Sequence, residues 1–129
     1  MYKVSSIMVE GNKIKNFTDL NAWKKSHELV LFVYKITDLF PKKEIFSLTN
    51  QMRRSAISIP SNIAEGRARK SSLDYRRFLI IAYGSGAELE TQIKITKEIY
   101  PNENLDFTII DSLLDEIMKI LNKMINTIT

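Results

Sequence analysis

The run from Gln51 to Gly66 reads QMRRSAISIPSNIAEG and sets a proline inside a helical pattern. Ile45, Leu48, Met52, Ala56, Ile59 and Ile63 follow one another at intervals of three or four, so the apolar stripe keeps its phase through Pro60. A helix ending at the proline would have no reason to do so. Proline removes the bond from residue 60 to the Ala56 carbonyl and crowds that oxygen, which predicts a continuous second helix kinked at Pro60 if packing holds both halves. The competing reading starts a new helix at Asn62, with Glu65 three residues on as in a capping box.

On the amino-terminal side, a first helix is predicted from about Asp19 to Phe40, stopped by Pro41. It carries two apolar stripes, Leu20, Trp23, His27, Val30, Tyr34 and Leu29, Val33, Ile36, Phe40. The run LVLFVYKI alone also fits a buried strand, but Leu20 and Trp23 extend it at helical spacing. On the carboxyl-terminal side, Ser71 and Asp74 form a capping signature for a third helix that stops near Pro101. Its Gly84-Ser85-Gly86 costs helix stability, about 1 kcal/mol per glycine, and close approach of another backbone is the expected compensation. No strand precedes these glycines and no Gly-Lys-Ser/Thr follows, so a phosphate loop is not indicated. A fourth segment, about Leu105 to Thr127, is apolar at Ile110, Leu113, Leu114, Ile117, Leu121, Met124, Ile125 and Ile128.

Short connections make consecutive helices antiparallel neighbours, so the predicted fold is an all-α, up-down-up-down four-helix bundle. The bundle is expected over residues 17–129, with residues 1–16 as an amino-terminal extension. Four glycines and three prolines are too few for a turn-rich β fold, and 129 residues at 44% hydrophobic fit one domain with a core. The second stripe on the first helix predicts a homo-oligomer joined through that helix; the alternative is a deeply buried central helix in a monomer. With no cysteine, no signal-like start and no apolar run of membrane length, the expected location is the cytoplasm.

The stretches LNAW at Leu20–Trp23, QMRRSA at Gln51–Ala56, SIPSNIAEG at Ser58–Gly66, AYGS at Ala82–Ser85 and ELET at Glu88–Thr91 resemble the four-helix-bundle protein family of 23S rRNA intervening sequences, small bacterial proteins. The resemblance covers about residues 17–128, with SIPSNIAEG as its most specific part. It implies a ring-forming, pentameric bundle without known catalytic activity. A related branch, the accessory variability determinant of diversity-generating retroelements, is a basic pentameric barrel that binds nucleic acid and a reverse transcriptase. The chain departs from the family pattern at Gly86, where a bulkier residue is expected, and in its extra amino-terminal residues.

No catalytic residue, cofactor or metal site is expected. A di-metal carboxylate bundle needs Glu-x-x-His on two helices, but there is one histidine, and Lys24 stands three before it. His27 is expected as a hydrogen-bonded core residue. Glu65 is read as a helix-end or ion-pair partner, and Glu88 or Glu90 as lying opposite Arg53 or Arg54, the arginines serving interhelix or intersubunit pairs. Trp23, Pro60, Asn62 and Gly66 complete the residues assigned to structure or interface.

The charge is sorted. From Lys42 to Arg77 there are nine basic residues against three acidic; from Phe78 to Thr129, four against eight. In an alternating bundle the amino terminus, the turn between helices two and three and the carboxyl terminus share one end. That end gathers eleven cations, among them Lys24, Lys25, Arg67, Arg69, Lys70, Arg76 and Arg77, against four anions. A polyanion is the fitting partner: nucleic acid, RNA foremost, bound through phosphates without base reading. The alternatives are a scaffold for an acidic protein and a basic face that serves solubility alone.

Overall fold

The computed structural model describes residues 13–128, with side chains from residue 18 onward. Four helices follow in order: α1 Lys13–Thr37, α2 Leu48–Arg67, α3 Ser72–Ile99 and α4 Thr108–Thr127. A 3₁₀ turn, Lys42–Glu44, precedes α2, and no strand occurs among the described residues. Each helix packs on two neighbours, α1 on α2 and α4, and α3 on α2 and α4, while the backbones of the diagonal pairs stay apart. This is the predicted four-helix bundle. The expected extension falls mostly outside the described residues; α1 begins at Lys13, ahead of the predicted Asp19, and covers residues 13–16.

The stripe through the proline is what makes α2. Met52, Ala56, Ile59 and Ile63 are fully or almost fully buried, and the helix runs unbroken past Pro60, itself buried. Asn62 does not start a new helix. Its side-chain amide donates back to the Ser58 carbonyl at 2.8 Å and to the Ser58 hydroxyl at 2.9 Å. The Ser58 and Ser85 hydroxyls are 2.7 Å apart, and Ser85 donates to the Ile81 carbonyl at 3.2 Å. The chain Asn62, Ser58, Ser85 thus ties the half of α2 beyond the proline to α3, where packing has to hold a helix lacking one ladder bond. Ile45 keeps the sequence phase but lies before the Ser47 cap and is exposed, so the helix takes up the stripe only at Leu48.

Of the two stripes on α1, Leu29, Val33, Ile36 and Phe40 are buried in the core. The other is half outside: Leu20, Trp23 and Val30 are partly buried, and Tyr34 and His27 are exposed. His27 is therefore not the core residue expected; it stacks on Trp23, ring centroids 5.0 Å apart and planes 22° apart. The helix is too near the surface of the chain for both stripes to be covered.

At the start of α3, the Ser71 hydroxyl accepts from the Asp74 N–H at 3.1 Å, as the capping signature predicts. The glycines differ from expectation. Gly86 lets the Met118 side chain, not a backbone, seat against α3, and Gly84 faces open space. The close helix approach is at Gly66 instead, where a Cβ would come within 2.7 Å of the Phe78 Cβ and 3.2 Å of the Tyr75 carbonyl oxygen. Burying this glycine brings the end of α2 directly onto the first turns of α3.

Candidate nucleic-acid interface

The antiparallel threading gathers the amino-terminal half of α1, the α2–α3 turn and the end of α4 at one pole. Two interactions fix this. The Arg67 guanidinium at the end of α2 pairs with Asp19 near the start of α1 at 3.3 Å, and Arg76 on α3 donates to the Ile125 carbonyl in the last turn of α4 at 2.9 Å. Arg76 thereby satisfies a carbonyl that the helix end leaves without an intrahelical donor, and its charge sits at the negative end of the α4 dipole.

Asp19 is almost fully buried and shares its neighbourhood with Arg67 and Tyr75. Burial pushes the Tyr75 hydroxyl far above the usual phenol range, the Asp19 carboxylate pushes the same way, and Arg67 opposes them. One buried anion thus ties α1, α2 and α3 together. In a count of charges along the sequence, Asp19 is only an anion to subtract.

The cations divide into two groups. Arg67 faces Asp19, Lys25 pairs with Glu116 at 2.9 Å, Arg69 with Glu65 at 2.8 Å, Arg77 with Asp74 at 3.5 Å and Lys119 with Asp115 at 3.0 Å. Arg69 also lies 4.7 Å over the Phe78 ring, with Arg77 5.8 Å from the same ring. Lys24, Lys70, Arg76 and Lys123 have no carboxylate partner among the described residues, and Glu28 is the acid of this pole without a cationic partner among them. Pairing lowers the field of the predicted cluster without cancelling it, and it singles out Lys123, one of the eleven cations counted at this end, as unpaired with any carboxylate among the described residues.

Arg53 belongs to the opposite pole. It donates to the Thr37 hydroxyl at 2.8 Å and to Asp38 at 2.9 Å, and its guanidinium stacks 4.4 Å over the Tyr34 ring. Its partners are α1 and Asp38 rather than Glu88, which is exposed on α3. Arg54 is exposed beside it. Also at this pole, Leu39, Ile45 and Phe46 are exposed, Phe46 at 91%.

Between α1 and α2, at the basic pole, lies a groove of about 530 Å³ lined by Leu20, Trp23, Ile63, Ala64 and Ala68 together with the Asp19–Arg67 pair. Among the described residues, no three His, Cys, Asp or Glu side chains converge as metal ligands would. No helix of the described residues is long and apolar enough to cross a membrane.

Comparison with known proteins agrees with this architecture. A family model described as 23S rRNA-intervening sequence protein matches residues 18–123. No curated protein matches the chain. A crystal structure of a protein with unknown function from the S23 ribosomal protein family, from Bacteroides thetaiotaomicron, is similar at a TM-score of 0.77 and 24% identity. The match covers 85% of this chain and 99% of that one, and at that identity it speaks to the fold alone.

Proposed function

Because the chain belongs to the 23S rRNA-intervening sequence protein family, we propose that it is an oligomeric, non-catalytic bundle that binds nucleic acid, RNA foremost, through its basic pole. The observation that carries this is the convergence of Lys24, Lys70, Arg76 and Lys123, cations without carboxylate partners among the described residues, from α1, the α2–α3 turn, α3 and α4 onto one end. Lys25, Arg67, Arg69 and Arg77 reinforce them and turn to phosphate only where a phosphate displaces a carboxylate. Such a surface follows the backbone charge of a nucleic acid, tolerates any sequence and weakens steeply with salt.

The half-exposed stripe Leu20, Trp23, His27, Val30 and Tyr34 supports assembly through α1, and the family resemblance supports a pentamer. A ring holding its poles in parallel would add their fields into one cationic rim. The resemblance to the accessory variability determinant supports a polymerase as a further partner, in the cytoplasm of a bacterium. A second reading, a scaffold that binds only protein, is favoured by the exposed Leu39, Ile45 and Phe46 at the other pole.

Fluorescence anisotropy of a random oligoribonucleotide at low and high salt separates the two. Binding that fades with salt is the expected result; no binding at low salt leaves only the scaffold. Light scattering at high protein concentration tests assembly, and a particle of a single 14.9 kDa chain would remove it.

A further inference from the structure

We propose that the outward face of α3 seats the outward face of α1 of a second copy, so that copies join side by side through unlike surfaces with every basic pole at the same end. The inference rests on the assembly through α1 proposed above and names the surface that α1 meets.

α3 packs on α2 and α4, and the face it turns away from both is apolar. Ile80 and Ile95 are 44% and 40% exposed, and Gly84, Ala87 and Thr91 lie exposed between them at intervals of three or four, so the five share one side of the helix. The outward side of a bundle helix is ordinarily charged, yet this stripe holds no charge from Ile80 to Ile95. It is not a displaced core face, because Leu79, Ala82, Leu89 and Ile93 fill the core from the other side of α3. With small residues in its middle the stripe is a trough between two isoleucines, and alanine at 84 would keep it one.

On α1, Leu31 is 53% exposed and stands outward between His27 and Tyr34, a ridge where α3 has a trough. α1 and α3 occupy diagonal corners of the bundle, so their outward faces point to opposite sides of the chain. A two-fold contact of α1 with itself would leave the α3 stripe in water. A contact of α1 on α3 covers both and leaves a free face of each kind for further copies until a ring closes. Both helices run from the basic pole to the far pole, so the contact is parallel and the poles stay together. Heights agree as well. Asp19 sits beside Tyr75, and equal rises from there bring Leu31 level with Ala87, a match that rotation about an axis along the bundle preserves. The stripes, Leu20 to Tyr34 and Ile80 to Ile95, are about 21 Å and about 22 Å long.

Charge favours a second copy over an unrelated apolar partner. Lys35 on α1 and Lys42 and Lys43 in the turn beyond it have no carboxylate partner among the described residues, while Glu88 and Glu98 beside the α3 stripe have no cationic partner among them. Glu88 is level with Phe32, less than one turn from Lys35, and Glu98 lies in the last turn of α3, at the pole that carries Lys42 and Lys43. The contact therefore sets lysines of one copy beside carboxylates of the next. Glu90 and Lys94 line the cleft towards α4 instead.

Leu31→Glu and Ala87→Glu each put a carboxylate at the centre of one face, at exposed helical positions. Sedimentation velocity at one protein concentration reads the native chain, each variant and the two variants mixed in equal amounts. The native particle is expected to exceed one 14.9 kDa chain, each variant to sediment as a single chain, and the mixture to form pairs, because each variant keeps the face that the other has lost. Circular dichroism checks each variant's helices, and Leu31→Gln or Ile80→Gln replaces one that has lost them. If either variant assembles as the native chain does, or the mixture stays single, the α3 seat is overturned while assembly itself stands. A native chain that stays single removes both.

Discussion

Alanine at position 66 and alanine at position 84 should change stability in opposite directions, although both replace a helical glycine. At Gly66 the new Cβ would stand 2.7 Å from the Phe78 Cβ, 3.0 Å from Tyr75 Cδ1 and 3.2 Å from the Tyr75 carbonyl oxygen. A Cβ moves only with its backbone, so the clash with Phe78 cannot be relieved by a rotamer change, and α3 must retreat from the end of α2. Overpacking of this kind costs about 1–3 kcal/mol, and the helical gain of alanine over glycine returns about 1 kcal/mol. The net expectation is a loss of up to about 2 kcal/mol. At Gly84 nothing lies within 4 Å of the new Cβ, so the propensity gain of about 0.5–1 kcal/mol is realised whole. Urea unfolding followed by circular dichroism reads both, at one fixed protein concentration because assembly adds to apparent stability. With m of about 2 kcal/mol per molar, the midpoint of Gly66→Ala should fall by up to about 1 M at unchanged m. A Gly66→Ala midpoint at or above the native one would refute the close approach of α2 and α3.

Arg53→Ala is expected to cost about 1–2 kcal/mol, a figure reduced for its partial exposure, as the Thr37 and Asp38 bonds and the Tyr34 stack disappear. Oligonucleotide affinity should stay unchanged, and Arg53→Lys should not restore stability, because the planar fork is what the site holds. Neutralising Lys24 and Lys70 to glutamine should weaken RNA binding across all sequences and flatten the salt slope by about one for each phosphate no longer neutralised. In a spectrophotometric titration, Tyr75 should ionise well above the ordinary phenol range. Its folded pKa is raised above the ordinary 10.0, so the stability it contributes is intact below that pH and declines as pH rises past it toward the folded value. Tyr75→Phe should lessen that alkaline loss of stability, and unchanged alkaline unfolding would contradict the assignment.

Much of the fold was legible because each helix carries its own signal. The phase of Met52, Ala56, Ile59 and Ile63 across Pro60 predicted a continuous α2, and Ser71 announced the start of α3. What periodicity could not say is which of two stripes faces inward. On α1 both have helical spacing, and only packing puts Leu29 and Val33 inside while leaving His27 outside. Ile45 shows the complementary limit, since a residue can keep phase and still lie beyond the helix cap. The Gly84–Gly86 segment suggested a close backbone approach, yet the partner is a methionine side chain, and the real approach is at Gly66, inside the motif that carried the family resemblance.

For the site, charge counting located the pole but not its pairings. Arg67 counts as a phosphate ligand until Asp19, far earlier in the chain, is found buried beneath it. A charge tally weighs Lys70 and Arg69 equally; the geometry commits Arg69 to Glu65 and Phe78 and leaves Lys70 without a carboxylate partner among the described residues. The apolar groove was invisible because its walls, Leu20 and Trp23 on one helix and Ile63, Ala64 and Ala68 on the other, each read as ordinary helix stripe.

The central claim is that one end of the bundle holds the polyanion. The most direct measurement is the salt dependence of oligoribonucleotide affinity for the native chain and two charge variants. In one, Lys24, Lys70, Arg76 and Lys123 are changed to glutamine; in the other, Lys42, Lys43 and Lys94 at the far end are. The account predicts a slope shallower by about three to four in the first and unchanged in the second. Equal slopes in all three proteins, or a change confined to the far-end variant, would contradict it.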